Sequence, residues 1–369
     1  MKKKVLLVSS GGLDKSGAPS VIMAFVRGLH DDFDFDILLH TRDEGFYEKE
    51  FLSYGGRIFR CAKKKSASPL LNRLRELGRP VALYFSTRRL IRENGPYQIL
   101  HCHNDFDMAG CLAAGKKEKI PIRIGHTHKT WNPGGGVLTR VYRALCRRVI
   151  NRSATVRTGC SAIANRRFYG AEAPSVVTFN PYQDDRFFFD PAFSSPPGPP
   201  AIVQIGYFCE NKNQLFTLGV LHQLQKKLPG ATLVFVGAEQ GGYGRLMREE
   251  VARLGLESSV SFLPPDADLP SVLKKSSLLL LPSKAEGFGI VLIEAQAAGL
   301  SCYASDTVPK ETDAGGVTFL PLSAGPEAWA DTILREHRFD RKTPHDCSRF
   351  SLGAFLAAVR RLYSGEKEG

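Results

Sequence analysis

From position 278 the chain reads Leu278-Leu279-Leu280-Leu281-Pro282-Ser283-Lys284-Ala285-Glu286-Gly287-Phe288-Gly289-Ile290-Val291-Leu292-Ile293-Glu294-Ala295-Gln296-Ala297-Ala298-Gly299-Leu300. The four leucines predict a short buried strand that stops at Pro282 and Ser283. A glycine-bearing turn from Glu286 to Gly289 follows, and Val291, Leu292, Ala295 and Ala298 then fall on one face of a helix. That order sets a helix N-terminus, with free N–H groups and the positive end of its dipole, just past the carboxyl edge of a strand. Anionic ligands bind at such places in open α/β sheets. Glu286 lies at the mouth of the turn, and Glu294 two helical turns further on. The pair is informative only in this setting; the plain alternative is a tight turn with two solvated carboxylates.

Similar units recur on either side. Ala201–Ile205 reads as a strand ending at Gly206, followed by a loop to Lys212-Asn213 and a helix through Leu228. Ala231–Val236 is a strand ending at Gly237, with a helix to Leu254; Val260–Leu263 and Ser301–Ala304 are further strands. Phe355 to Tyr363 is a terminal helix. Upstream, Pro-Ala-Phe-Ser-Ser-Pro-Pro-Gly-Pro-Pro at 191–200 is the clearest punctuation and reads as a linker. Before it a second array runs through strands at Lys4–Ser9, Asp34–His40, Arg57–Arg60, Gln98–His103, Arg123–Lys129, Thr155–Ser161 and Ser175–Asn180. The first strand leads through Gly11, Gly12 and Gly17 into a helix from Pro19 to about Leu29. This is a phosphate-compatible turn without the GxGxxG dinucleotide spacing. Two successive arrays predict an α/β chain of two doubly wound domains facing across a cleft: 1–190, 191–350, and a helix at 351–369 returning to the first domain.

Composition agrees with that class. The 369 residues suit two domains, and 43% hydrophobic with 24% charged residues is ordinary globular composition. No apolar run is long enough to span a bilayer, and Met-Lys-Lys-Lys leads into a strand rather than a signal-peptide core, so a cytoplasmic location is expected. The eight cysteines have no CxxC spacing, which reads as reduced core thiols. The net charge of +13 is uneven: residues 1–190 hold 32 Lys and Arg against 18 Asp and Glu, and residues 191–369 hold 18 against 19. A basic half suggests a polyanionic partner.

Residues 63–93 concentrate that charge: Lys63, Lys64, Lys65, Arg73, Arg75, Arg79, Arg88, Arg89 and Arg92, interleaved with Leu70, Leu74, Leu77, Leu83 and Phe85. Helices with basic and apolar faces lie on anionic membranes, so an inner-leaflet surface is an expected partner; the alternative is an amphipathic helix whose arginines face water. No nucleic-acid module surrounds the block, and no nucleic-acid partner is expected. Two strand ends carry His101 and His103, and His126 and His128. Acidic partners at metal-ligand spacing are absent, so no metal is expected; strand-end histidines more often line a cleft or sit satisfied in a core. His126 and His128 are expected to point to opposite faces, leaving one of them in the cleft.

Taken together, these residues resemble the retaining glycosyltransferases of GT-B fold and family 4 type. The resemblance is carried by Ile205-Gly206 with Lys212-Asn213, Val236-Gly237, Val260–Leu263, Leu281–Gly289 and Glu294–Gly299. The run Ser305–Glu311 with Phe319–Leu322 is similar to the branch that builds capsular and exopolysaccharides. The first half matches more loosely, at Gly17-Ala18, the histidine-bearing strand ends, and Asn180 before Arg186-Phe187. The resemblance implies a nucleotide-sugar donor, with uracil the expected base, held mainly by the C-terminal domain. It also implies a lipid-linked or saccharide acceptor held mainly by the N-terminal one. In that family Glu294 would accept the ribose hydroxyls, and Glu286 with the backbone of Gly287, Phe288 and Gly289 would meet the sugar or phosphate. Lys212 matches the lysine that stabilises the leaving pyrophosphate in place of a metal. Gly206 and Gly17 match the glycines that let loops approach the donor.

His128, with His126 as second choice, is assigned to the sugar near the reacting carbon; no enzyme nucleophile is implied, and no cofactor. One departure is Tyr207, where the family often has an arginine, which would place more weight on Lys212 and Lys284. The competing readings are a nucleotide-sugar epimerase or phosphorylase of the same fold, and a non-catalytic membrane- or nucleic-acid-binding protein.

Overall fold

The first strand, β1 (Lys3–Ser9), shows how the sequence builds a layered unit. Alternate side chains leave a strand on opposite sides. Val5 and Leu7 therefore join one apolar cluster with helix Gly17–Leu29, while Leu6 and Val8 join another with helices Arg79–Asn94 and Met108–Lys117. A strand covered on both faces must be apolar along its length, as parallel strands are.

The structure is a computed structural model and describes residues 2–14, 17–61, 78–130, 136–189, 199–336 and 345–365. The chain divides into two units, Met1–Pro181 with Leu352–Gly369, and Tyr182–Ser351. The division at Pro181 precedes the Pro-rich stretch read as a linker, most of which lies outside the described residues, as do Lys63, Lys64, Lys65, Arg73 and Arg75.

In the first unit β1 is joined by β2 (Phe33–Leu39), β3 (Arg57–Arg60), β4 (Ile99–Cys102), β5 (Ile122–Thr127), β6 (Val156–Gly159) and β7 (Val176–Val177). They form a parallel sheet of order β3-β2-β1-β4-β5-β6-β7. The second unit holds β8 (Ala201–Ile205), β9 (Thr232–Val236), β10 (Val260–Leu263), β11 (Leu278–Leu281), β12 (Ser301–Ser305) and β13 (Val317–Leu320). Its parallel sheet has the order β10-β9-β8-β11-β12-β13. Both sheets reverse direction beside their first strand, at β1/β4 and β8/β11, which is the doubly wound, Rossmann-like arrangement.

Two details differ from the sequence reading. The strand expected over Ser175–Asn180 shrinks to the two residues of β7, at the sheet edge, where short strands limit unwanted pairing. The edge strand β13 was not anticipated; its four residues are only partly buried. The terminal helix runs Leu352–Ser364 and places Phe355, Val359, Leu362 and Tyr363 in the core of the first unit. Among the described residues no helix is long and apolar enough to cross a membrane.

Candidate functional site

In the second unit the reversal point brings two loops together. One leaves β8 at Gly206, whose φ of +143° suits glycine, and where an added Cβ would meet the Lys212 Cε at 3.0 Å. The loop ends at Asn213, held at φ +57°, a conformation asparagine tolerates, and helix Gln214–Lys227 begins. The other loop leaves β11 at Pro282 and ends at Gly289, with φ +93°, from which helix Ile290–Ala297 starts. Hydrogen bonds tie the loops. The Asn211 amide donates to the Ala285 carbonyl at 2.8 Å, the Lys284 N–H to the Asn211 carbonyl at 2.8 Å, and the Asn213 amide to the Pro282 carbonyl at 3.2 Å. Gln204 donates to the Lys212 carbonyl at 2.7 Å and Gln214 to the Tyr207 carbonyl at 2.8 Å, which fixes the β8 loop from both ends.

Across this junction the Lys212 Nζ donates to Glu286 Oε1 at 2.6 Å, with both side chains mostly buried. An ammonium has three N–H donors, so a lysine bonded to one carboxylate keeps the capacity to bind an anion. Glu294 stands on the helix beyond. Burial pushes its carboxyl up to about 8, against a smaller downward pull from Arg186. At neutral pH it therefore holds a proton most of the time. The junction thus offers a cation, a carboxylate, a carboxyl poised to ionise, and the opening turn of a helix, at the place where doubly wound sheets take ligands.

In the first unit four imidazoles gather at the ends of β4 and β5. His101 Nε2 is 3.1 Å from His126 Nδ1, and His103 Nδ1 is 2.9 Å from His128 Nε2. His101 Nδ1 is 2.9 Å from the Tyr363 hydroxyl, and the Phe25 ring stacks on His101 and His103 at 5.6 and 5.8 Å. Burial drives His101, His103 and His126 well below the usual histidine range, and lowers His128 to about 4, with Lys129 adding to the effect and a hydrogen bond with Asn180 opposing it. These are neutral rings at pH 7.

The rings of His126 and His128 stack at 4.3 Å, which corrects the expectation that they point to opposite faces. Residues two apart on a strand share a face. His101, His103 and His126 offer ring nitrogens within 4.8 Å of one another. Two of these nitrogens, His101 Nε2 and His126 Nδ1, face each other at hydrogen-bond distance, in rings whose planes differ by only 10°.

The structure places Gly206, Lys212, Glu286, Gly287, Phe288, Gly289 and Glu294 on the two loops and helix of the second unit, and Gly17, His126 and His128 in the first. An added Cβ at Gly17, the first residue of its helix, meets nothing within 4 Å. The Phe288 ring turns inward, edge-on to Phe350 at 5.8 Å, so only its backbone is offered outward. Two candidates stand apart: the Tyr207 side chain is exposed, and Lys284 pairs with Glu210 at 2.8 Å. Sequence reasoning did not single out Asn211, Gln204 or Gln214, whose role is to hold backbone. The described arginines of the basic block are paired: Arg79 with Asp107, Arg88 and Arg92 with Glu118, Arg89 with Glu93.

Comparison with known proteins extends the picture. The model of Glycosyltransferase Family 4 matches residues 15–180, and that of Glycosyl transferases group 1 matches residues 185–314. The chain is 30% identical over 350 residues to the putative glycosyltransferase EpsF of Bacillus subtilis (strain 168), covering 90% of this chain and 88% of that one. Among solved structures it is similar to HepE of Anabaena in complex with UDP, with a TM-score of 0.77 and 17% identity over 99% of this chain and 100% of the other. HepE in complex with UDP-glucose gives a TM-score of 0.74, at 17% identity, over 98% and 100%. The lipopolysaccharide outer core galactosyltransferase WaaB, in its apo form, gives 0.72 at 17% identity over 97% and 98%. At these identities the structures share the fold, which is GT-B with two Rossmann-like domains.

Proposed function

The chain belongs to glycosyltransferase family 4, and from that membership we propose that it moves a hexose from a uridine nucleotide sugar to a lipid-linked or saccharide acceptor, with retention, in capsule or exopolysaccharide synthesis. The observation that carries the donor assignment is the Lys212–Glu286 pair at 2.6 Å across the β8 and β11 loops, ahead of helix Ile290–Ala297. HepE, which shares the fold, binds UDP and UDP-glucose, and this supports a uridine donor. The polymer-building role rests on the likeness of residues 305–322 to the capsule and exopolysaccharide branch.

Each residue has a part in this reading. Glu294, ionised, accepts the two ribose hydroxyls. Lys212 offers its ammonium to the pyrophosphate, where negative charge grows as the bond to the sugar breaks, and fixed cations act most strongly there. Glu286 and the backbone N–H groups of Gly287, Phe288 and Gly289 orient the sugar. His128 of the first unit contacts the sugar as a neutral imidazole, held by His103. No metal or cofactor has a part, the leaving phosphate takes the acceptor proton, and attack occurs on the face the phosphate leaves.

Thermal unfolding with UDP, GDP, ADP and CMP, each with and without EDTA, tests the donor. Ligand at a hundred times its Kd adds about 2.7 kcal/mol, a shift of several degrees for domains of this size. UDP should give that shift whether or not EDTA is present; no shift with any nucleotide would remove the reading. With UDP-hexoses, UDP should be released only when an acceptor is added, and the product's anomeric proton should show the donor's configuration. An inverted product would overturn retention.

A further inference from the structure

We propose that helix Val137–Ser153 is a docking element for an anionic phospholipid surface. The helix is turned inside out relative to an ordinary surface helix. Cys146, Ile150 and Ser153 are its buried residues, while Val137, Leu138, Val141, Leu145 and Val149 face outward, Leu138 at 77% and Leu145 at 61% exposure. Leu138, Val141, Leu145 and Val149 are spaced by three, four and four, so they form one stripe. Arginines take inward positions instead. Arg147 donates to the carbonyls of Phe168 and Arg167 at 2.8 and 2.9 Å, and Arg143 lies over the Phe106 ring at 6.0 Å.

Charge selects the occupant. The helix carries Arg140, Arg143, Arg147, Arg148 and Arg152 and no acidic residue. Arg140, Arg148 and Arg152 are exposed and have no ion-pair partner among the described residues. An apolar stripe flanked by cations settles at the boundary between anionic headgroups and acyl chains. A second copy of the chain fits poorly, because a two-fold contact would set these same arginines against themselves. Helix Arg79–Asn94, on the same side of the sheet, adds outward Val81 and Phe85, but its arginines are paired.

Position connects the surface to the site. The helix begins nine residues after His128, at the sheet edge where β5 ends. A bilayer against this face brings a lipid-linked acceptor to the edge that carries the histidines, and this last step alone rests on the transferase reading.

The test is sedimentation of the full chain with vesicles of phosphatidylcholine, alone or mixed with phosphatidylglycerol. Binding should require the anionic lipid and weaken with salt. The variants Leu138→Gln/Leu145→Gln/Val149→Gln and Arg140→Gln/Arg148→Gln/Arg152→Gln should each bind at least about tenfold more weakly. Both should keep the wild-type thermal transition and its UDP shift, because every changed side chain is solvent-exposed. Wild-type binding without lipid preference, or variants that bind like wild type, would overturn the proposal. A wild-type dimer that the leucine variant turns into a monomer would also overturn it, in favour of a second copy. Loss of the UDP shift in the wild type, with vesicle binding intact, would instead count against the donor assignment.

Discussion

The Glu294 carboxyl must shed a proton before it can accept two hydroxyls, and burial holds its pKa at about 8. Below that pH, nucleotide binding has to release the proton, so affinity should fall toward acid by up to about tenfold per pH unit and level off above pH 8. Calorimetry of UDP binding in buffers of different ionisation enthalpy should detect the released proton near pH 7, and Glu294→Gln should abolish both the slope and the release; an unchanged slope in that variant would assign it elsewhere. The Lys212–Glu286 pair makes a different demand. Lys212→Ala removes the charge facing the leaving group and takes the ammonium away from a mostly buried carboxylate. Transfer should slow about 10²–10³-fold, and stability should drop by about 1–3 kcal/mol. Glu286→Gln keeps the size and one acceptor oxygen, so it should cost less stability while still lowering kcat. Equal rates for Lys212→Ala and wild type would exclude the lysine from the chemistry. Lys212, Glu286 and Glu294 were legible in the sequence because each stands at a strand end or on the helix after it. The histidine cluster was half legible: strand ends announced four rings, but only the fold shows that they stack on one face and that Tyr363, over two hundred residues away, bonds to His101.

Among the elements, helix Ile290–Ala297 depends on its first residue's neighbour. Gly289 holds φ +93° and ψ 48°, the left-handed region that a side chain enters at a cost of about 1–2 kcal/mol. Gly289→Ala should lower the stability of the second unit by about that amount in denaturant titrations. It should also weaken UDP binding, because the first-turn N–H groups move with the backbone. Unaltered binding would detach the helix start from the donor. The strand before it was readable because Leu278–Leu281 is buried on both sides and so needs no alternation. β13, four residues long and only partly buried, was not read as a strand, although the equally short β3 and β10 were. Helix Val137–Ser153 was missed although its apolar period is plain: a core-seeking reading has no place for a stripe that faces outward. In helix Arg79–Asn94 the charge was legible, but its ion-pair partners Asp107 and Glu118, the latter shared by Arg88 and Arg92, come from elsewhere in the chain and were not.

At the scale of the whole molecule, the two units are not two halves of the sequence, because the first is completed by the last helix. Phe355, Val359, Leu362 and Tyr363 together contribute roughly 6–12 kcal/mol of burial at about 1.5–3 kcal/mol each, an upper figure that is comparable with the entire stability of a domain. A chain ending at Ser351 should therefore lose the thermal transition of the first unit while the second keeps a UDP-dependent one; two intact transitions in scanning calorimetry would count against this account. The same arrangement sets a timetable for the newborn chain. Residues Tyr182–Ser351 are all synthesised before Leu352, so the unit encoded second can fold first. The unit encoded first emerges early, with Phe25 and His101 still lacking Phe355 and Tyr363, and cannot close its core until residues 352–364 have been made. A premature stop ahead of residue 352 would thus damage the beginning of the protein rather than its end.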